Sequence, residues 1–311
     1  MPINSLKKIW IITLISTIVA GVCLYYTNQS LHDSLKGNQV FADIAQNQTK
    51  IKKIVIKHPK ESIILYNDDN LWQVENADNY YADFSLVQNL QESIASAKFG
   101  KEIMELPDSN FTWTELEVYG ADKLIGKVQI NNASAVGTHK LRIPEQNKIY
   151  QSNWKMQLPT DIMSWLPQPL LKFNDVDVSR LEVNDKIISR RYEGATFYDK
   201  QTNLPYRQYE FLQVFDLLTD LRFDKVSSSQ EFDNTLYPVN NKIILHTFDG
   251  LITELNIFTN YSEYWLQISL STTTLPSHKV NDYIEYNSFL YKDWWFRLPA
   301  HIGRSLFMFK L

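Results

Sequence analysis

Ile51-Lys52-Lys53-Ile54-Val55-Ile56-Lys57 is the stretch whose reading decides the fold. Ile54 and Ile56 alternate with Lys53, Val55 and Lys57, the signature of a β-strand with one buried face. The spacing Ile51-x-x-Ile54-x-Ile56 returns as Val178-x-x-Leu181-x-Val183. Further along, Leu124-Ile125-x-x-Val128-x-Ile130 returns as Leu251-Ile252-x-x-Leu255-x-Ile257. Between these blocks, Val87, Leu90, Ile94, Ala97 and Phe99 match Phe211, Val214, Leu218, Leu221 and Phe223. Their three-and-four spacing puts each set on one helix face. A last pair of blocks, Trp154 with Leu158-Pro159, Ile162 and Leu166, matches Trp294 with Leu298-Pro299, Ile302 and Leu306. In both, a proline opens a short amphipathic helix, because the first helical position needs no donor. Blocks recurring in one order imply an internal duplication.

Each copy reads β-β-β-α-β-β-β-β-α. In the first, strands are predicted near 51–57, 62–66, 71–75, 115–119, 124–131, 138–143 and 148–152. Asn67–Asn70 forms a turn, and Asp83 caps a helix over 83–97. In the second, strands are predicted near 178–184, 186–192, 196–198, 242–248, 251–259, 263–271 and 284–291, with a helix over 206–221. Strands joined by short turns imply an α+β fold: two tandem, related units of antiparallel sheet with helices packed on one face.

The N-terminus has a different character. Residues 9–26 are apolar, and no charge occurs from Ile9 to Leu31. Eighteen helical residues span roughly 27 Å, close to the ~30 Å hydrocarbon core of a bilayer. Trp10 at one end and Tyr25 and Tyr26 at the other suit the two interfaces. Lys7 and Lys8 precede the run and orient it with residues 1–8 in the cytoplasm and the rest outside. The expected organisation is a cytoplasmic N-terminus (1–8), a transmembrane helix (9–26), a polar stalk (27–50), a first unit (51–170), a linker (171–177) and a second unit (178–311). Alternatives are a cleaved signal peptide, against which Ile18-Val19-Ala20 is a poor cleavage site, lipidation at Cys23, or a buried soluble helix.

With 44% apolar and 13% aromatic residues, the remainder is expected to fold around packed cores. Cys23 is the only cysteine, which excludes an internal disulfide framework. A net charge of -4 and the lack of a basic block leave nucleic-acid binding without an electrostatic footprint.

Little chemistry is legible. His32, His58, His139, His246, His278 and His301 show no metal-ligand spacing, and neither a nucleophile elbow nor a phosphate loop is present. The acidic pairs Asp68-Asp69, Glu115 with Glu117, and Asp175 with Asp177 read as solvated positions. No cofactor, metal site or catalytic residue is predicted. The aromatics read mainly as core, Trp72 among them. Trp294-Trp295 is the candidate interaction surface, since strand neighbours face opposite ways and one of the pair is placed to stay exposed.

Several of these motifs together resemble a known family. They are Ile54-x-Ile56, Trp72-Gln73-Val74, Ala82-Asp83 and Leu124-Ile125-Gly126, followed by Thr138-His139-Lys140-Leu141-Arg142 with Ile149-Tyr150. Leu170-Leu171-x-Phe173 leads into the second copy. This pattern is similar to the bacterial family catalogued as domain of unknown function 4340, chiefly over residues 50–190. The resemblance implies an inner-membrane anchor with a periplasmic domain and, for some members, association with gliding-motility or ABC-type transporter components. It brings no catalytic residues.

The expectation is a non-enzymatic, single-pass accessory or scaffold protein of the bacterial inner membrane. It would contact the bilayer through its helix and an envelope protein through its domain. Two rivals are a glycan- or lipid-binding module with an aromatic cleft between the units, and a hydrolase with a site assembled from distant residues.

Overall fold

The computed structural model describes residues 35–46, 50–103, 112–121, 123–131, 139–144, 148–184, 186–206 and 208–309, with backbone alone over 208–213. The predicted span and its flanks, Lys7, Lys8, Trp10, Tyr25 and Tyr26, lie outside these residues. No helix among the described residues is long and apolar enough to cross a membrane.

The fold is α+β and its sheets are antiparallel. The first sheet takes β1 (Lys53–Lys57), β2 (Ser62–Asp68), β3 (Leu71–Val74), β4 (Tyr80–Tyr81), β5 (Phe99–Ile103), β6 (Trp113–Tyr119), β7 (Leu124–Asn131), β8 (Lys140–Ile143) and β9 (Lys148–Ser152). Its order is β4-β3-β2-β1-β6-β7-β8-β9-β5, and helix α1 (Phe84–Ser96) follows β4 in the chain. The second takes β10 (Val178–Val183), β11 (Lys186–Ser189), β12 (Tyr198–Asp199), β13 (Lys225–Ser228), β14 (Val239–Thr247), β15 (Leu251–Thr259), β16 (Tyr264–Thr272) and β17 (Trp294–Leu298). Its order is β12-β11-β10-β14-β15-β16-β17-β13. Helix α2 (Gln208–Thr219) precedes β13, α3 (His278–Asn287) precedes β17, and α4 (Ala300–Met308) follows it. With β4 set aside, the two orders are the same.

Three edge strands were not expected: β4, which is only two residues long, and the pair β5 and β13. Both follow a helix and are short, polar on one side and paired along one edge, so alternation is weak in them. The strand expected near 284–291 is instead the end of α3 and a 3-10 turn, Ser288–Leu290. Ser277 Oγ accepts the Val280 N–H at 3.3 Å and starts that helix, and this cap outweighs the local alternation. The block Trp154–Pro159 has no regular structure, whereas its match Trp294–Leu298 is β17.

The chain forms two compact units. One combines the described residues up to Ser62 with Gln88–Leu158, the other Ile63–Val87 with Pro159–Leu311. In the first, Ile54, Ile56, Leu116, Val118, Val128, Ile130 and Leu141 are all at 0% exposure on one sheet face. Residues 35–46, expected as stalk, are docked on this unit. The Gly37 N–H donates to Phe99 O (2.7 Å), Phe99 N–H to Asn38 O (3.0 Å) and Val40 N–H to Ala97 O (2.9 Å), which covers the start of β5. Phe41, 2% exposed, fills the notch at Gly126, where a Cβ would stand 2.8 Å from its ring. An aromatic ring beside a bare backbone explains why a polar-looking segment is held.

In the second unit, Leu181, Ile243, Leu255, Ile257, Leu266 and Phe296 are fully buried. Tyr80 joins them: its ring lies 4.9 Å from Trp294 and 5.6 Å from Phe296, and its hydroxyl donates to Leu290 O at 3.1 Å. The Asp83 carboxylate accepts the Leu86 N–H at 2.8 Å, the expected helix cap. Leu170 and Leu171, placed at the edge of the linker by sequence, are buried, and Tyr291 Oη donates to Leu170 O at 2.7 Å.

α4 approaches β16 so closely at Gly303 that a Cβ there would lie 2.3 Å from Tyr264 Cβ. Gly303→Ala should therefore destabilise the protein by about 1–3 kcal/mol despite the higher helix propensity of alanine. Chemical denaturation of both proteins measures this, and equal or greater stability of the variant would refute the contact.

Candidate functional site

The connection from β11 to β12 is where the two sheets diverge most usefully. In the first sheet, Asp69 and Asn70 alone join β2 to β3, both at positive φ (45° and 70°), as a tight hairpin turn requires. In the second, residues 190–197 take that place. Gly194 at φ 73° reverses the chain, and the Ala195 N–H donates to Tyr192 O at 3.1 Å. Arg190 anchors the loop. Its Nε donates to Val178 O at 2.6 Å and its Nη2 to Asp175 O, while its guanidinium lies 4.5 Å from the Phe197 ring centroid and 5.9 Å from that of Phe248. Burial pulls its pKa below the ordinary arginine value.

The loop walls a cavity of about 570 Å³ with Arg191, Tyr192, Thr196, Tyr198, Lys200 and Asn203 around it. Tyr192 is 69% and Tyr198 44% exposed. Asp199 accepts the N–H groups of Gln201 (2.7 Å) and Thr202 (2.9 Å), which hold its carboxyl below the usual range. Arg191 and Lys200 are exposed and form no ion pair among the described residues. The wall is thus aromatic, hydrogen-bonding and net positive. A neighbouring cavity of about 330 Å³ lies beyond Phe248, where Asp177, Glu193 and Asp249 outnumber Lys172 and Lys279. Its wall includes Lys279 and Tyr283 of α3, a helix without counterpart between β8 and β9.

The acidic pair Glu115 and Glu117 is not solvated as expected. Both point to the face of β1, β6 and β7 that carries Lys57 and Lys127. Lys57 Nζ lies 3.2 Å from Glu115 and 2.6 Å from Glu117, and Lys127 Nζ lies 3.0 Å and 3.6 Å from the same two. Tyr119 Oη donates to Glu117 at 2.8 Å, and Glu117 is 7% exposed. Cross-strand register places opposite charges face to face, Lys57 with Glu115 and Lys127 with Glu117. The second sheet has a similar arrangement: Glu182 binds Arg180 (2.9 Å) and His246 (2.6 Å), and Lys242 binds Glu254 (2.7 Å). His58 stands just past β1, with Nε2 2.8 Å from Thr114 Oγ1, and burial lowers its pKa. Among the described residues no group of three or more His, Cys, Asp or Glu is arranged to hold a metal ion.

Trp294 and Trp295 face opposite sides of the sheet as expected, yet both are buried, at 9% and 6% exposure. Trp294 packs on Tyr80 and Tyr81. Trp295, on the other face, is covered by the segment after β13: Phe232 stacks on it at 4.1 Å, with Phe258 at 4.9 Å. Tyr237 and Trp265 complete this second small core. An aromatic placed outward on a strand is exposed only if no connection folds over it, and here one does. Exposed rings at a cavity are found instead at Tyr192 in the β11–β12 connection and Tyr198 at the start of β12. The run Arg190-Arg191-Tyr192 is the signal of this site in the sequence.

No family model, curated protein or solved structure matches the chain.

Burial pushes the Glu117 carboxyl up, but hydrogen bonds from Lys57 and Tyr119 and the two lysine charges outweigh it and hold the pKa below the ordinary value. Its stabilising effect is complete above the unfolded pKa of about 4.3 and is lost as pH falls through the lower folded value. Thermal unfolding of the wild type should therefore drop below about pH 4.3, and Glu117→Gln should flatten that drop while lowering the melting temperature at pH 7. Identical pH profiles would show that the cluster does not act on stability.

Proposed function

We propose that this chain is a single-pass, membrane-anchored accessory protein of a bacterial envelope complex, without catalysis of its own and with its folded part on the periplasmic side. The carrying observation is the docking of residues 37–41 on the first unit. Only residues 27–34 then separate the proposed span from folded structure, a tether of at most roughly 30 Å when fully extended. The first unit is in this reading held at the bilayer surface rather than on a long stalk.

Further support comes from the use of the charged groups. The carboxylates brought together on the sheet faces are bound by lysine, arginine or histidine, as structural groups are. The shared strand order supports an origin by internal duplication, with the differing connections free to serve partners. The resemblance to the family of domain of unknown function 4340 supplies the class of partner: an envelope protein, such as a component of an ABC-type transporter.

Two measurements test this. In a Cys23→Ser background, a cysteine at exposed Lys60 should react with a membrane-impermeant maleimide in intact spheroplasts, and one at Ser5 should react only after lysis. The reverse pattern would sink the topology. Purification of tagged full-length chain from gently solubilised membranes should recover a transporter or other envelope protein in a fixed ratio, and recovery of the chain alone would sink the accessory role.

A further inference from the structure

The 570 Å³ cavity on the β11–β12 connection falls within the size range of small-ligand sites. The corresponding hairpin of the first sheet closes with two residues, so the strand pairing itself does not require this loop. Its composition is specific. Tyr192 and Tyr198 offer exposed ring faces, whose negative quadrupole attracts the polarised C–H groups of a pyranose. Thr196 and Asn203 add hydroxyl and amide groups that match sugar hydroxyls. Arg191 and Lys200 stand at the same cavity, and neither forms an ion pair among the described residues. Asp199 adds one negative charge to the wall, its Oδ1 accepting two backbone N–H groups, and with Arg190, Arg191 and Lys200 the wall stays net positive. Arg190 is engaged in holding the loop and leaves these two cations as the ligand's partners.

The geometry points to a binding site for an acidic saccharide, its rings against Tyr192 and Tyr198 and its carboxylate paired with Arg191 and Lys200. This goes beyond the accessory role and does not depend on the membrane anchor. A purely anionic ligand would leave the two tyrosines unused, and a neutral sugar would leave the two cations unused.

The test is calorimetric titration of the full chain in mild detergent with trigalacturonate, maltotriose and inorganic phosphate. Saturable binding of trigalacturonate is expected, weakened by added salt, with maltotriose and phosphate each binding at least about tenfold more weakly. The double variant Arg191→Glu, Lys200→Glu and the single variant Tyr192→Ala should each weaken trigalacturonate about tenfold or more with an unchanged melting temperature, because these side chains are exposed. No saturable binding, equal binding of maltotriose, or equal binding of phosphate by the wild type would each overturn the proposal, whatever the variants do.

Discussion

Everything in each sheet hangs on one non-local pairing. β1 pairs with β6, and β10 pairs with β14, although three strands or more and a helix intervene in the chain. Most other neighbours are successive strands that a turn can bring together. Closing the long loop costs entropy before any contact repays it. The compensation is visible in the register: Ile54 faces Val118 and Ile56 faces Leu116 in one sheet, and Leu181 faces Leu245 and Val183 faces Ile243 in the other. These side chains are almost wholly buried. Once the pairing is made, β5 and β13 have only the far edge left to them, beyond β9 and β17.

The strands of that central pairing, though not the pairing itself, were legible in the sequence because they alternate, and the repeated spacing at Ile54 and Leu181 marked the first strand of each sheet as equivalent. The helix stripes were legible for the same reason: Val87, Leu90, Ile94 and Ala97 are all within 1% of full burial. What escaped was set by tertiary context. β5 and β13 are strands because an edge was waiting for them, and residues 37–40 pair because that edge was open. The stretch 284–291 alternates like a strand, yet the Ser277 cap lies upstream and its effect propagates into it.

The site followed a different logic. Alternation shows that Trp294 and Trp295 face opposite ways, but nothing in it shows that Phe232 is laid over Trp295. The cationic and aromatic residues around the cavity sit in the β11–β12 connection and in the two-residue β12 with the turn after it, where periodicity says nothing. They are visible only once Arg190 is seen spending its donors on Val178 and Asp175, which separates it in role from Arg191 beside it. Likewise Glu115 and Glu117 looked solvated because their strand alternates, and the neighbours that shield them come from β1 and β7.

The pairing of residues 37–40 with the start of β5 also shields part of a sheet border. An unpaired sheet border is a template on which another chain can add a strand, and β5 is such a border. Here the chain's own lead-in occupies its first residues, with Phe41 pinning the cover at Gly126. Residues 35–46 thus serve as a guard on that border. A chain clipped between Phe41 and Lys53 would keep its central strands but, once the clipped segment left, would bare a self-templating margin and gain a tendency to self-associate.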